Sequence, residues 1–266
     1  MVEEGADVGF KYNDTNDAFT LVVGNKKRRK QRQHKAHSTP AELLERSKSE
    51  LLSDSVWMEK CTHICQDAIT SLPGEINTIL CLGLGSPTES AQARFQFCFL
   101  LELRDKIFSS QVRIRAFDPV FSTVDILLLT SLGAQILPDN KEGKYEFDGP
   151  TLAFMPHCDR ELYENFLQAN WSAKLLTDFL LIGNDLRRYV ESVPARVLGK
   201  ESPCLSRLAP LLVSSPLPEH HSFPNAFSTT SVQHISSASL ATGAQRNSFD
   251  SLFEKKETPE VHPVNS

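Results

Sequence analysis

Several things are missing from this 266-residue sequence. No run of about 18 apolar residues occurs, so no membrane-spanning helix is expected. The opening MVEEGADVGF is acidic and has no apolar core segment, which argues against a secretory signal. Only 6 cysteines are present, scattered without a dense framework; they read as reduced thiols of an intracellular protein. A formal net charge of −5 leaves no general attraction for nucleic acid. Metal-ligand spacing is absent as well. In CTHIC, Cys61 and Cys65 share a helix face while His63 points elsewhere, and no second Cys/His pair completes a zinc pattern. Those thiols read as core or surface residues and no metal is expected.

What is present suits a folded domain with tails. Hydrophobic residues make up 40% of the chain and include 16 Phe, enough for a real core. Residues 1–38 are polar and aperiodic and read as a disordered arm. Within it, KKRRKQRQHK at 26–35 is a dense basic block against the acidic average. Three readings stay open for it: a nuclear-targeting signal, a nucleic-acid contact, or a solvated arm. Cytoplasm and nucleus are the expected locations.

From Thr39 the pattern changes. Thr39 and Pro40 suit a helix cap and first helical position. The helix should run to Pro73-Gly74 with a break near Ser53. Apolar strand-like runs then alternate with helical ones: INTILCL, VRIRAF, AQILP, TLAFMP and DFLLIG, separated by helical patterns except across DNKEGKYEF. Alternation of this kind implies right-handed crossovers and a doubly wound, Rossmann-like α/β domain with a parallel sheet over residues 39–198. The expected strand order is 3-2-1-4-5, with any ligand bound where the winding reverses between strands 1 and 4. Residues 199–235 read as a Pro/Ser-rich extension of the domain, with NAFSTTSVQHI adding one extended segment. Residues 236–266 are Ser-rich and are expected to be disordered.

The stretch TILCLGLGSPTES hands a strand to a helix through Gly83 and Gly85. That is the context of a nucleotide loop, but Thr88 stands where a third glycine would complete the pattern. Ser86, Pro87 and Glu89 read as a capping box. Glu89 would then oppose a pyrophosphate, which disfavours NAD and FAD; S-adenosylmethionine or another adenosine ligand is penalised less. A turn with no ligand is the alternative. Asp118 ends the second strand, either as a ribose-binding carboxylate or, with Pro119, as a helix cap. His157 follows the fourth strand and is the candidate acid/base; a hydrogen-bonded structural histidine is the alternative. Cys158 is its neighbour in sequence, so the two side chains are not expected to form a catalytic pair. Asp159 reads as a cap, and Asn184 as a further polar group at the same edge.

These residues bring a family into view. LCLGLGSP, RAFDPVFSTVD, LAFMPHCDRELYENFLQANW and LLIGNDLRRY resemble the Sensitivity to Red-light Reduced family, in particular its animal, SRR-like members. NAFSTTSVQHI resembles the family's closing segment. The resemblance implies an intracellular regulatory protein tied to circadian-clock output, with a further link to control of haem biosynthesis. It brings no catalytic activity, substrate or cofactor with it. Direct haem binding is disfavoured, since no Cys-Pro dipeptide occurs and Cys204 follows its proline. Two functions remain: a non-catalytic module that works through regulatory partners, or an S-adenosylmethionine-dependent transferase that uses Gly83, Gly85, Ser86, Asp118 and Asn184 to hold its cofactor, with His157 above it.

Overall fold

Thr39 opens the described structure as the sequence suggests. Its hydroxyl accepts from the Glu42 amide, and the Glu42 carboxylate takes the Thr39 amide in return. Pro40 sits in the first turn of α1 (Pro40–Ser53). The break falls at Asp54, whose carboxylate caps α2 (Ser55–Ile69). A computed structural model describes residues 38–108, 112–236, 240–241 and 243–253. The basic block 26–35, nearly all of the arm 1–38 and the last residues of the tail lie outside the described residues.

The next elements are β1 (Thr78–Leu82), α3 (Ala91–Ile107), β2 (Arg113–Phe117), α4 (Thr123–Ser131), β3 (Ala134–Ile136), β4 (Thr151–Met155), α5 (Arg160–Ala169), α6 (Ala173–Thr177) and β5 (Phe179–Asn184). All five strands are parallel and stand in the order β3-β2-β1-β4-β5. β1 pairs with β2 on one side and β4 on the other, so the winding reverses beside the glycine loop. Alternation along β1 separates two cores. Ile79 and Cys81 face the side of α1, α2 and α3; Leu80 and Leu82 face the side of α5. Cys61 and Cys65 belong to the first core, whereas His63 is exposed and pairs with Asp67.

Beyond residue 198 the chain is more regular than its Pro/Ser content suggests. α7 (Arg187–Ser192), α8 (Ala195–Glu201), α9 (Pro203–Leu208) and a 3₁₀ turn lead to β6 (Val213–Pro216). Pro203 occupies a first helical turn, where proline is at home. After α10 (Pro224–Phe227), β7 (Thr230–His234) returns along β5 antiparallel, and β6 pairs antiparallel with β7. The sheet therefore has seven strands, β3-β2-β1-β4-β5-β7-β6, and β7 alone runs against the direction of the other six. Phe227 is fully buried here, against Trp57 and Phe99.

β6 is an edge, and proline guards it. The Leu217 amide donates to the Thr230 carbonyl. By alternation, the groups of residues 214 and 216 face outward. Pro216 has no N–H to offer there, so the edge lacks one donor that another strand would need.

Within the tail that the sequence reads as disordered, one stretch has regular structure. α11 (Gly243–Asp250) is a helix, and Phe249 and Leu252 are buried against the α5-side core. Those two apolar residues three apart are what a Ser-rich average concealed.

Candidate functional site

Both glycines of the loop after β1 have left-handed backbones, with φ of 65° at Gly83 and 77° at Gly85. Leu84 between them is buried. Several of the loop's polar groups are bonded within the chain. The Gly85 amide donates to Asp118 Oδ2 at 2.7 Å, and Asp118 Oδ1 takes the Val120 amide at 3.0 Å. Asp118 is therefore no helix cap. The helix after β2 starts five residues later, at Thr123, capped by Ser122. The local Asp-Pro signal loses to a partner 33 positions upstream.

The loop's other carboxylate is one the sequence reading passed over. Asp125, wholly buried, accepts from Ser86 Oγ (2.9 Å), Thr88 N (2.9 Å), Thr88 Oγ1 (2.8 Å), Ser122 N (2.9 Å) and Ser122 Oγ (2.7 Å). Burial acts to raise its pKa. The bonds from Thr88 and Ser122 outweigh burial and hold it below the usual carboxylate value. The Ser122-x-x-Asp125 capping box was legible as a motif; its second duty, clasping the glycine loop, was not. Ser86 does accept from the Glu89 amide at 3.2 Å, as expected. Yet α3 begins at Ala91 with Ser90 as cap, and Glu89 is exposed. The carboxylates bonded to this loop are Asp118 and Asp125.

Across the switch point lies the segment after β4. His157 has φ of 54°, unusual for a residue with a side chain. Its amide donates to Asn184 Oδ1 at 3.2 Å, and Nε2 lies 3.1 Å from the Ala226 carbonyl. A carbonyl only accepts, so Nε2 carries the proton. Asn184 is a junction: its Nδ2 donates to the Cys158 carbonyl (2.9 Å) and to Tyr189 Oη (3.0 Å), and its amide donates to Tyr163 Oη (2.8 Å). Tyr163 Oη in turn donates to the Met155 carbonyl. Asp159 caps α5 as expected.

Cys158 turns away from His157. Its thiol donates to the Leu82 carbonyl at 3.4 Å and covers Gly83. Burial pushes its pKa well up, with Cys81 and the carboxylates of Asp159 and Asp118 adding to the effect. It is a protonated packing group, unsuited to nucleophilic attack.

The fold thus joins Gly85 to Asp118, Ser86 to Asp125, and Asn184 to the backbone of His157 and Cys158. Gly85 N–H, Asp118 and the Ser86 hydroxyl, three of the groups a ligand at this edge would meet, already have partners within the chain. Two cavities stand out among the described residues, and neither is lined by these groups. One of about 630 Å³ borders Trp171 and Phe253; one of about 380 Å³ borders Ile64 and Leu217. No cluster of three metal-ligating side chains occurs among the described residues.

A doubly wound sheet with a glycine loop at its switch point defines a Rossmann-like α/β protein. Residues 42–234 match the SRR1 domain, and the chain belongs to that family. It is 36% identical to the SRR1-like protein of Mus musculus over 145 residues, 54% of this chain and 58% of the relative. It is 38% identical to Protein SENSITIVITY TO RED LIGHT REDUCED 1 of Arabidopsis thaliana over 111 residues, 42% of this chain and 40% of the relative. The matches thus span between two fifths and three fifths of those two relatives. The SRR1-like protein of Drosophila melanogaster is 25% identical over 198 residues, 68% of this chain and 67% of that one. Among solved structures, the SAH-bound Podospora anserina methyltransferase PaMTH1 resembles the chain with a TM-score of 0.36 at 10% identity. That likeness covers 73% of this chain and 88% of the methyltransferase. The complex of the Haloferax volcanii Trm112 methyltransferase activator and a methyltransferase gives 0.33 at 15% identity, over 74% and 96%.

Proposed function

We propose that this chain is a non-catalytic regulatory module that works through protein partners in a light- or clock-linked output, with control of haem biosynthesis as a second process. The plant relative's name supports the first link, and the family resemblance supports both. One observation carries the non-catalytic part: the groups a cofactor would use are bonded to each other. Asp118 holds the Gly85 amide, Asp125 holds Ser86 and Thr88, and His157 spends its Nε2 proton on Ala226. A second reading, an S-adenosylmethionine-dependent transferase, draws support from Asp118 standing at the end of β2 beside the loop.

Melting of the full chain with 1 mM S-adenosylmethionine, S-adenosylhomocysteine or ATP separates the two. A ligand at a hundred times its Kd stabilises by about 2.7 kcal/mol, which raises Tm by roughly 5–10 °C in a domain of this size. The regulatory reading expects no shift, and a shift of that order overturns it. The basic block 26–35 is proposed to direct the chain to the nucleus as well as the cytoplasm. Alanine at Lys26 to Lys30, in a fusion too large to diffuse through pores, should leave it cytoplasmic. An unchanged distribution removes the proposal.

A further inference from the structure

The tail that follows the family domain does not hang free. β7 ends at His234, as does the SRR1 match, and the chain then returns to the α5 side of the sheet. There α11 and the turn after it place Phe249, Leu252 and Phe253 on one face, at i, i+3 and i+4. Phe249 and Leu252 join the core cluster of Leu205 and Leu208 from α9. Phe253 meets the Trp171 ring at a centroid distance of 6.0 Å. Arg207 lies over that same ring at 5.5 Å and donates to the Ser251 carbonyl at 3.2 Å and to the Leu252 carbonyl. Those are carbonyls at the end of a helical segment, where a cation is favoured. Arg246 and Asp250, exposed and paired at 3.8 Å, flank that face.

We infer that the face built by Trp171, Arg207 and α9 is a docking groove for an amphipathic helix of a partner protein, occupied here in cis by the chain's own 243–253. Three observations point to an exchangeable occupant. Among the described residues, the segment supplies no strand and no backbone bond to the sheet. It lies wholly outside the matched family domain, whereas the groove lies within it. And an open depression of about 630 Å³ lies beside it, bordered by Trp171, Ser172, Ala173, Asp250, Leu252 and Phe253. The partner that fits carries two or three bulky apolar residues at i, i+3 and i+4 and ends its helix against Arg207, with one aromatic ring on Trp171. Tethered in cis, the native segment competes at an effective concentration on the order of millimolar, so it sets a threshold that a partner must exceed. This goes beyond the proposed regulatory role and does not depend on the state of the glycine-loop crevice.

The test uses a fluorescent peptide of residues 243–253 and the full chain carrying Phe249→Asp and Leu252→Asp. Saturable anisotropy binding is expected for that chain and should be at least tenfold weaker for the unmodified chain. Adding Trp171→Ala or Arg207→Ala to the undocked chain should abolish it. No binding at 1 mM peptide by a folded undocked chain overturns the proposal, and so does equal binding by both chains. If the double variant does not fold, a protease site inserted at 237–239 replaces it. After cleavage the released segment should leave on dilution while the remainder keeps a cooperative melt. Unfolding on its release would make the segment part of the core and overturn the idea. A dimer that exchanges the segment between copies would assign the groove to a second copy and also overturn it.

Discussion

The Cys158 thiol occupies the place where a Cβ on residue 83 would have to stand. Only glycine permits the contact, and it permits it at a left-handed φ. The loop after β1 and the segment after β4 are therefore locked face to face. Gly83→Ala should cost roughly 1–2 kcal/mol for the backbone and roughly 1–3 kcal/mol more for overpacking. Gly85→Ala should cost only the backbone part, because its new Cβ would find Ala93 Cβ at an ordinary 3.6 Å. Urea unfolding of the two variants measures the difference. In a Cys158→Ala background the penalty of Gly83→Ala should shrink to that of Gly85→Ala. Strict additivity would show that the thiol is not the obstacle.

The β6 edge gives a second expectation. Pro216→Val restores an outward amide on an exposed strand, and with it a place for another chain to pair. Stability should move by less than about 1 kcal/mol, as for surface changes generally. Light scattering at rising protein concentration should nonetheless show more self-association than the native chain does. Unchanged scattering would mean that something other than proline protects the edge.

How far the sequence reaches is visible in such details. The order β3-β2-β1-β4-β5 was legible because apolar runs alternate with helical periods, and β7 because TTSVQH has strand chemistry. β6 was not legible, since VSSP looks like a loop until β7 supplies its partner. The same holds at the site. Asp118 carries two local meanings, cap and ribose carboxylate, and the fold sets aside the cap: the side chain bonds the Gly85 amide, 33 residues away. Ser122-x-x-Asp125 announces a capping box, yet nothing in the motif says that the same carboxylate reaches Ser86 and Thr88. Local chemistry writes caps and turns; pairing between distant loops is decided by the packed sheet.

Thiol chemistry offers a third test. Burial pushes Cys65, Cys98 and Cys204 up to about 12 and raises Cys61, Cys81 and Cys158 as well. At pH 8 the thiolate fraction of such groups is on the order of a thousandfold below that of a free cysteine. Ellman's reagent should titrate all 6 thiols in denaturant and almost none in the native chain within minutes. Cys204, half-buried, should react first. A native thiol that reacts in seconds would contradict this and would reopen the search for a nucleophile.

Asp125 makes the last prediction. Its two oxygens each take a backbone amide, Thr88 N on Oδ1 and Ser122 N on Oδ2. In Asp125→Asn one position becomes an NH₂ group, and either orientation sets it against one of those donors. A stranded buried amide and a lost charge-assisted bond together cost roughly 2–4 kcal/mol. The pH dependence follows from the lowered pKa. The folded state favours the charged carboxylate more than the unfolded chain does. Its contribution is full above the unfolded value of 3.8 and is lost as pH falls through the lower folded value. Urea midpoints at pH 7 and pH 5 should therefore show the same gap between native chain and variant, and the gap should narrow toward pH 2. Because the same carboxylate holds Ser86 and Thr88, hydrogen exchange in residues 83–89 should quicken in the variant at neutral pH. A constant gap at every pH, with no change in loop exchange, would show that Asp125 only caps α4 and does not fasten the glycine loop to it.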